Sequence, residues 1–233
     1  MHAWDRHTPI EETLRTLDDL VRAGKIRYLA FSDTPAWKVA QAQTIARLRG
    51  YAPLVALQLE YSLLERTIEG ELIPAAQELG LGVMPWSPLK SGVLSGKYTR
   101  ENAGKQKADR GGMVETSLDE KAYAIIDELI RIGKEVGATP ASVALAWVRG
   151  KPGVTSTLIG ARSIEQLEQN LDALSVELNA AQTQRLDALS DPQLPFPTSM
   201  VGFAGSFMHG GITVNGEASP PSPYLPNADS PRF

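Results

Sequence analysis

The chain has 233 residues, a formal net charge of −4, and 42% hydrophobic and 21% charged residues, which are ordinary proportions for a soluble globular protein. Its mild acidity, without a basic block, argues against nucleic acid or an anionic membrane as a partner. The lack of cysteine and the presence of only three histidines argue against disulfides, thiolate nucleophiles and metal sites. We expect a cytoplasmic protein with no metal, signal peptide or membrane span.

Amphipathic and short apolar segments alternate from residue 8 to residue 85. The string Thr8-Pro9-Ile10-Glu11 matches a capping box with proline at the first helical position. The pair Thr34-Pro35 repeats that helix-start signal. The predicted elements are a helix ending at Gly24, a strand over 28–32, a helix to about residue 49, a strand over 54–59, a helix over 69–79 and a strand over 81–85.

The same alternation continues after a long polar stretch. Residues 97–115 are predicted to form a surface insertion. Two helix-start signals follow, a capping box at Ser117–Glu120 and the pair Thr139-Pro140. We therefore predict helices from 117 to about 136, from 139 to about 150, from Ser163 to 174 and over 179–190, with a strand over 156–159.

Strands that alternate with helices through short connections predict a parallel sheet. Because these strands are apolar on both faces, they need cover on both sides. A complete (β/α)8 barrel takes ~250 residues, whereas this chain provides four predicted strands and a stub at Met1-His2-Ala3. We predict an α/β fold with an incomplete (β/α)8 TIM barrel over residues 1–190. Residues 191–233 are predicted to be a Pro/Gly-rich C-terminal extension that lies across a surface or is partly disordered.

Five strings occur in the order typical of one family: HAWD with TPIEETLRTLDDLVRAGKIRYLAFS, LQLEYSLLER, PWSPLKSGVLSGKY, GATPASVALAWV and LIGARSIEQLEQNLDAL. From residue 1 to about residue 190 the chain resembles aldo-keto reductases of the bacterial, potassium-channel-β-like branch. The resemblance implies a TIM barrel that reduces carbonyls with NADPH, of which this chain holds about the second half, strands four to eight. It also implies that the first three βα units are missing, and with them the catalytic aspartate, tyrosine and lysine.

The resemblance also implies a catalytic residue, His2, which matches the histidine that donates a hydrogen bond to the substrate carbonyl. The alternative is that a residue so near the N-terminus frays and does nothing, and the lack of a tyrosine partner favours this alternative. Tyr61 belongs to the family's own EYSLL string and is no obvious substitute. Glu60, Glu65 and Arg66 are interpreted as structural or surface charges.

Three residues match the positions that hold the nicotinamide carboxamide in the family: Ser32, Asp33 and Gln58. The family usually has Ser-Asn, and an ionised Asp33 can accept from the amide but cannot donate to it. Its charge should favour the oxidised, cationic ring over the neutral reduced ring. The alternative, that Asp33 is a polar cap at the end of a strand, carries about equal weight.

The segment after the strand over 81–85 matches the family's ring- and diphosphate-binding residues. The resemblance implies that Trp86 stacks on the nicotinamide ring, while Ser87, Leu89 and Gly92 cradle the pyrophosphate. Gly92 permits close approach of the backbone, and Lys97 can neutralise phosphate charge. The alternative is that Trp86 is simply a large core residue.

The strongest cofactor signal lies where the last strand leads into a capped helix, at Gly160, Arg162, Gln166 and Asn170. A helix N-terminus attracts anions, and the loops after the last two strands are the usual phosphate site of this fold. Arg162 can grip a 2′-phosphate bidentately, which would select NADP over NAD. Gln166 and Asn170 share one helix face and would flank the adenine. The alternative is a solvated arginine beside an ordinary helix cap.

Two functions follow from these residues. The first is an aldo-keto reductase-like oxidoreductase that uses NADP(H) on a small-molecule carbonyl, with an activity reduced 10²–10⁴-fold by the loss of a general acid. The alternative is a non-reductase truncated barrel that binds nucleotide weakly or has been repurposed, for example as a hydrolase.

A half barrel also leaves sheet edges and an apolar inner face uncovered. We therefore predict a homo-oligomer in which two or more chains complete each other's sheets. The alternative is that the Pro-rich extension covers the opening.

Overall fold

The computed structural model of the chain describes residues 1–102 and 112–221. The chain divides into two compact units, which meet between residues 192 and 193. The strands of the first unit are β1 Leu29–Ser32, β2 Leu54–Glu60 and β3 Gly82–Trp86. Its helices are α1 Ile10–Arg22, α2 Ala36–Arg49, α3 Leu72–Leu79, α4 Gly112–Glu115, α5 Glu120–Val136, α6 Pro140–Arg149, α7 Ile164–Asp172 and α8 Ala180–Ser190.

The three strands form a parallel sheet in the order β1-β2-β3, which confirms the predicted α/β class. Because side chains alternate between the two faces of a strand, residues in register share a face. Phe31, Leu57 and Val83 are in register and fully buried. Gln58 and Met84 are in register on the opposite face and only half-buried. The sheet therefore has one face in the hydrophobic core and one that is partly open.

The predicted strand over 156–159 is wrong. Only one parallel bridge, between Val83 and Val154, joins this region to the sheet. The Thr155 N–H donates to the Val83 carbonyl at 2.9 Å and the Leu158 N–H to the Pro85 carbonyl at 2.9 Å. The segment therefore runs beside β3 with an interrupted ladder. Leu158 and Ile159 are 37% and 39% exposed, so this apolar run forms neither a buried nor a continuously paired strand.

The predicted stub over residues 1–3 is reduced to one residue. The ammonium of Met1 donates to the Ala30 carbonyl at 2.7 Å, and the Met1 carbonyl accepts from the Ser32 N–H at 3.0 Å. These two bonds place Met1 beside β1. The expected strand count is therefore not reached, since the first unit has three strands and two edge segments within its described residues.

Of the five predicted helix-start signals, three are wrong about the capping side chain and two are confirmed. At α2 the Thr34 side chain makes no cap bond, because its hydroxyl donates to the Ser32 carbonyl at 3.1 Å. At α1 the Asp5 carboxylate accepts from the backbone of Thr8 and from its hydroxyl, so the Thr8 side chain does not cap the helix. At α5 the capping side chain is Asp119 instead of Ser117. Thr139 and Ser163 cap α6 and α7 as predicted. At α1 the Asp5 carboxylate binds the Thr8 hydroxyl, and at α5 the Asp119 carboxylate takes the place of Ser117, because ionised acceptors form stronger hydrogen bonds.

Helix α7 differs from its neighbours in contributing no buried side chain. Helices α1, α2, α3, α5, α6 and α8 all bury residues in the core beneath the sheet. Apolar residues recur along α7 and just after it, and they are between 42% and 77% exposed: Ile164, Leu167, Leu171 and Leu174. They form an uncovered apolar stripe, hereafter the α7 stripe.

The second unit contains regular structure that the proline content did not predict. Its elements are α9 Thr198–His209 and the antiparallel hairpin of β4 Thr213–Val214 and β5 Glu217–Ala218. Asn215 and Gly216 both have positive φ angles, 52° and 86°. This Asn-Gly pair is a strong hairpin signal, and the prolines of this region flank the elements. Residues 222–233 lie outside the described residues.

Across the two described ranges, no helix has the length and apolar character needed to cross a membrane.

Candidate functional site

The site face is the edge of the sheet where the parallel strands end, at Ser32, Glu60 and Trp86. Catalytic and binding loops of parallel α/β folds follow the carboxyl ends of their strands. Ser32 and Gln58 are paired in register, and the Asp33 N–H donates to the Gln58 carbonyl at 3.1 Å. The structure therefore brings these predicted residues of the nicotinamide site together.

Asp33 connects two strands across this edge. One of its carboxylate oxygens accepts from the Ser32 hydroxyl at 2.8 Å, and the other accepts from the Trp86 indole N–H at 3.0 Å. Asp33 adopts a left-handed backbone with a φ of 46°, which is uncommon for a residue other than glycine. We call this group the carboxamide cluster; its members are Ser32, Asp33, Gln58 and Trp86. Its half-buried tryptophan has a polar partner at the site, unlike a residue that only fills the core.

The loop that follows Trp86 has an unusual backbone. Ser87, Lys90 and Ser91 have φ angles of 52°, 46° and 55°, and Gly92 has a φ of 94°. The Ser87 carbonyl accepts from the Lys90 N–H at 2.8 Å, which stabilises the turn. Left-handed residues other than glycine cost of order 1 kcal/mol each and cluster at functional sites. A side chain atom added at Gly92 would meet nothing within 4 Å, so its cradle is open.

Two further predicted residues of this loop lie at different depths. Leu89 is half-buried, whereas Lys97 is exposed. The ammonium of Lys97 lies 5.5 Å from the centre of the Tyr98 ring. In the described part of the chain, no hydrogen bond connects Lys97 to the carboxamide cluster.

The second candidate loop leads into α7. The Gln166 side chain accepts from the Arg162 N–H at 2.9 Å, and the Asn170 side chain donates to the Gly160 carbonyl at 3.3 Å. Ser163 accepts from the Gln166 N–H at 3.2 Å. The two amides predicted to flank adenine therefore fasten the loop to the helix in this structure. These bonds fix the backbone of Arg162, which is an exposed residue.

Residues 1–191 match the model of the aldo/keto reductase family. The chain belongs to the aldo/keto reductase family. The match confirms the resemblance that the five strings indicated.

Three aldo/keto reductase relatives illustrate the similarity. The oxidoreductase YrpG of Bacillus subtilis (strain 168) is 41% identical over 179 residues, covering 77% of this chain and 53% of that protein. The aryl-alcohol dehydrogenase (NADP+) of Phanerodontia chrysosporium is 32% identical over 208 residues, covering 87% and 54%. The norsolorinic acid reductase of Aspergillus flavus is 29% identical over 201 residues, covering 86% and 50%. The chain spans about half the length of these relatives.

His2, which was predicted to match the family's histidine, is exposed. It follows Met1, which is hydrogen-bonded beside β1, and precedes Ala3, which has a φ of 59°. His2 therefore lies at the carboxyl end of the sheet, at the edge beside β1.

Tyr61 is not placed to replace the family's catalytic tyrosine as a proton donor at the site. It is fully buried and donates to the Glu69 carboxylate at 2.6 Å. Burial and this hydrogen bond raise the pKa of the Tyr61 hydroxyl. A phenol that is buried and already bonded in this way is a poor proton donor for a substrate.

An aromatic cluster that was not predicted from the sequence lies at the site face. The rings of Trp4 and Trp37 meet edge to face with centroids 5.5 Å apart. The Lys38 ammonium lies 4.8 Å from the Trp37 ring and 5.7 Å from the Trp4 ring. Trp37 is 59% exposed. The only sequence signal was the presence of one tryptophan shortly after each of two predicted strand ends.

Proposed function

We propose that this chain is an NADP(H)-dependent oxidoreductase of the aldo/keto reductase type. The observation that carries the proposal is the carboxamide cluster, in which Asp33 joins Ser32 to Trp86 at the carboxyl end of the sheet. The hydrogen bond between Asp33 and Trp86 joins residues that are 53 positions apart in the chain. The family match does not favour the alternative of a non-reductase or a hydrolase.

The residues of the site fit a dinucleotide. Ser32, Asp33 and Gln58 would hold the carboxamide, because they offer hydroxyl, carboxylate and amide groups at one edge. The half-buried Trp86 ring offers a face for the nicotinamide, and the open cradle at Gly92 accommodates a diphosphate. Bound NADPH would supply the hydride.

For the substrate we propose an aryl aldehyde or aryl alcohol. One relative is named an aryl-alcohol dehydrogenase (NADP+). The half-buried Trp4 and the exposed Trp37 provide an aromatic wall at the same face, and aromatic rings pack favourably edge to face. His2 would donate a hydrogen bond to the carbonyl oxygen and orient it.

We further propose that this chain alone reduces carbonyls slowly. The developing alkoxide needs a proton, and the resemblance assigns that acid to a tyrosine outside this sequence. Tyr61, which directly follows the carboxyl end of β2, is buried and bonded to Glu69.

Titration of the protein with NADPH, followed by its fluorescence, should show saturable binding. Oxidation of that NADPH by benzaldehyde should then be 10²–10⁴-fold slower than with the intact Phanerodontia chrysosporium relative, because a general acid contributes a factor of this size. Comparable turnover would mean that another group donates the proton. A flat titration curve would overturn the cofactor proposal.

Replacing Asp33 by asparagine should shift the preference between the two redox states of the cofactor. The ionised carboxylate favours the cationic oxidised ring, so D33N should tighten NADPH relative to NADP+ by roughly threefold to tenfold, as expected for a charge interaction of about 1 kcal/mol. The measurement is the ratio of the two dissociation constants by calorimetry. The control is D19N, which removes an exposed carboxylate from α1; an equal shift in both variants would contradict the assignment.

A further inference from the structure

A pair of oppositely charged residues lies at the same edge of the sheet, and neither residue has been assigned a role in the candidate site. Glu60 is the last residue of β2 and is in register with Trp86. The Lys90 ammonium, in the loop after β3, donates to the Glu60 carboxylate at 2.7 Å. The Lys90 side chain is 23% exposed and the Glu60 side chain is 28% exposed. They are called the Glu60–Lys90 pair below.

The position of Glu60 raises an electrostatic question. It belongs to the same strand face as Gln58, because the two residues are two positions apart, and Gln58 is in the carboxamide cluster. A carboxylate there repels an anionic dinucleotide unless a cation neutralises it. Lys90 supplies that cation.

The backbone of Lys90 keeps its ammonium at this edge. Lys90 has a φ of 46°, and its N–H donates to the Ser87 carbonyl. The following residue, Ser91, also has a left-handed φ of 55°, and its N–H donates to the Ser87 hydroxyl at 3.3 Å. A lysine held in a costly backbone conformation, in the loop assigned to the diphosphate, is better explained by a ligand than by a single part-buried ion pair.

We propose that Lys90 binds the diphosphate of the dinucleotide and that Glu60 holds its ammonium when the site is empty. This inference rests on the proposed function, because it needs a dinucleotide in the carboxamide cluster. The diphosphate is common to NAD+ and NADP+, so Lys90 contributes to the binding of both. Arg162, in contrast, is assigned to the 2′-phosphate, which NADP+ alone carries.

The test is calorimetric titration of NADP+ and of NAD+ into the wild-type chain, K90Q, E60Q and the double variant. K90Q should weaken both dinucleotides by the same factor of roughly ten, because a charge-assisted hydrogen bond is lost. E60Q should tighten both by roughly threefold, because a competing acceptor and a like charge are removed. In the double variant the benefit of E60Q should shrink, since the freed lysine is gone. Inorganic pyrophosphate should compete with NAD+ in the wild-type chain and less well in K90Q.

Three results would overturn the inference. If wild-type protein binds the dinucleotides and K90Q binds them equally well, the pair is structural and the proposed function stands. If E60Q and K90Q both weaken binding and both lower the melting temperature of the protein, the pair serves stability only. If the wild-type chain binds neither dinucleotide, the proposed function fails and the inference with it. The control for net charge is K134Q on the exposed surface of α5, which should bind as the wild type does.

Discussion

Replacing Arg162 by alanine should weaken NADP+ binding by roughly 10- to 100-fold and change NAD+ binding by less than about threefold. A guanidinium matches a phosphate with two parallel N–H donors, and charge-assisted bonds of this kind are among the strongest in proteins. The structure supports this assignment through the loop, because Gln166 accepts from the Arg162 N–H and Ser163 caps the following helix. The 2′-phosphate would lie near the N-terminus of α7, which also favours an anion.

Calorimetric titration of both dinucleotides into the wild type, R162A and R162K tests this prediction. R162K keeps the charge and loses the bidentate geometry, so its loss for NADP+ should be intermediate. Equal losses for NADP+ and NAD+ in R162A would refute the 2′-phosphate assignment. Thermal unfolding of each variant shows whether the fold is retained.

The chain should elute as an oligomer, well above the 25.2 kDa mass of one copy. The α7 stripe leaves four apolar side chains exposed, and covering a leucine or isoleucine gains about 1.5–3 kcal/mol. Within the described residues, the parallel sheet ends at Met1 beside β1 on one side and at the segment around Val154 on the other. A second copy would continue the sheet at both edges, because rotation about an axis along the strands brings one edge of the first copy to the opposite edge of the other with the same strand direction.

The double variant L167E/L171E should return the protein to the monomer mass, as measured by size-exclusion chromatography with light scattering. Two buried carboxylates would destabilise the contact strongly. The matched control is L48E, since Leu48 is 80% exposed on α2 outside the stripe. A wild-type chain that elutes as a monomer would contradict the proposal and would favour cover by the extension over residues 191–233. Circular dichroism of each variant separates lost association from lost folding.

Local patterns predicted most elements of the first unit. The strand predicted over 54–59 is Leu54–Glu60, and the helix predicted to about residue 49 ends at Arg49. Thr139 and Ser163 were identified as caps correctly, because their partners lie three residues away. Caps and periodicity depend on nearby residues, which the sequence lists in order.

Pairing and competition were not predictable in the same way. The run over 156–159 has the composition of a strand, but its ladder depends on which neighbours it finds, and β3 is the one it bonds to. Thr8 has the spacing of a cap, but Asp5 takes its hydroxyl. The helix Thr198–His209 lies between prolines, and a count of prolines over the whole extension concealed it.

The motif strings located the candidate site but not its internal bonds. Asp33 lies between donors from Ser32 and Trp86, and the second of these is 53 residues away. Lys90 and Glu60 are separated by 30 residues. Gln166 and Asn170 were predicted to face a ligand, whereas they bond to their own loop.

The sequence by itself determined the family, the alternation of strands and helices, and the segments that carry the site. These follow from residue types and short spacings, which act over one or two turns of chain. The tertiary structure alone decided that Asp33 joins two strands, that Lys90 faces Glu60 and that the α7 stripe is uncovered. Each of these depends on side chains far apart in the chain, whose approach is set by the register and packing of the sheet.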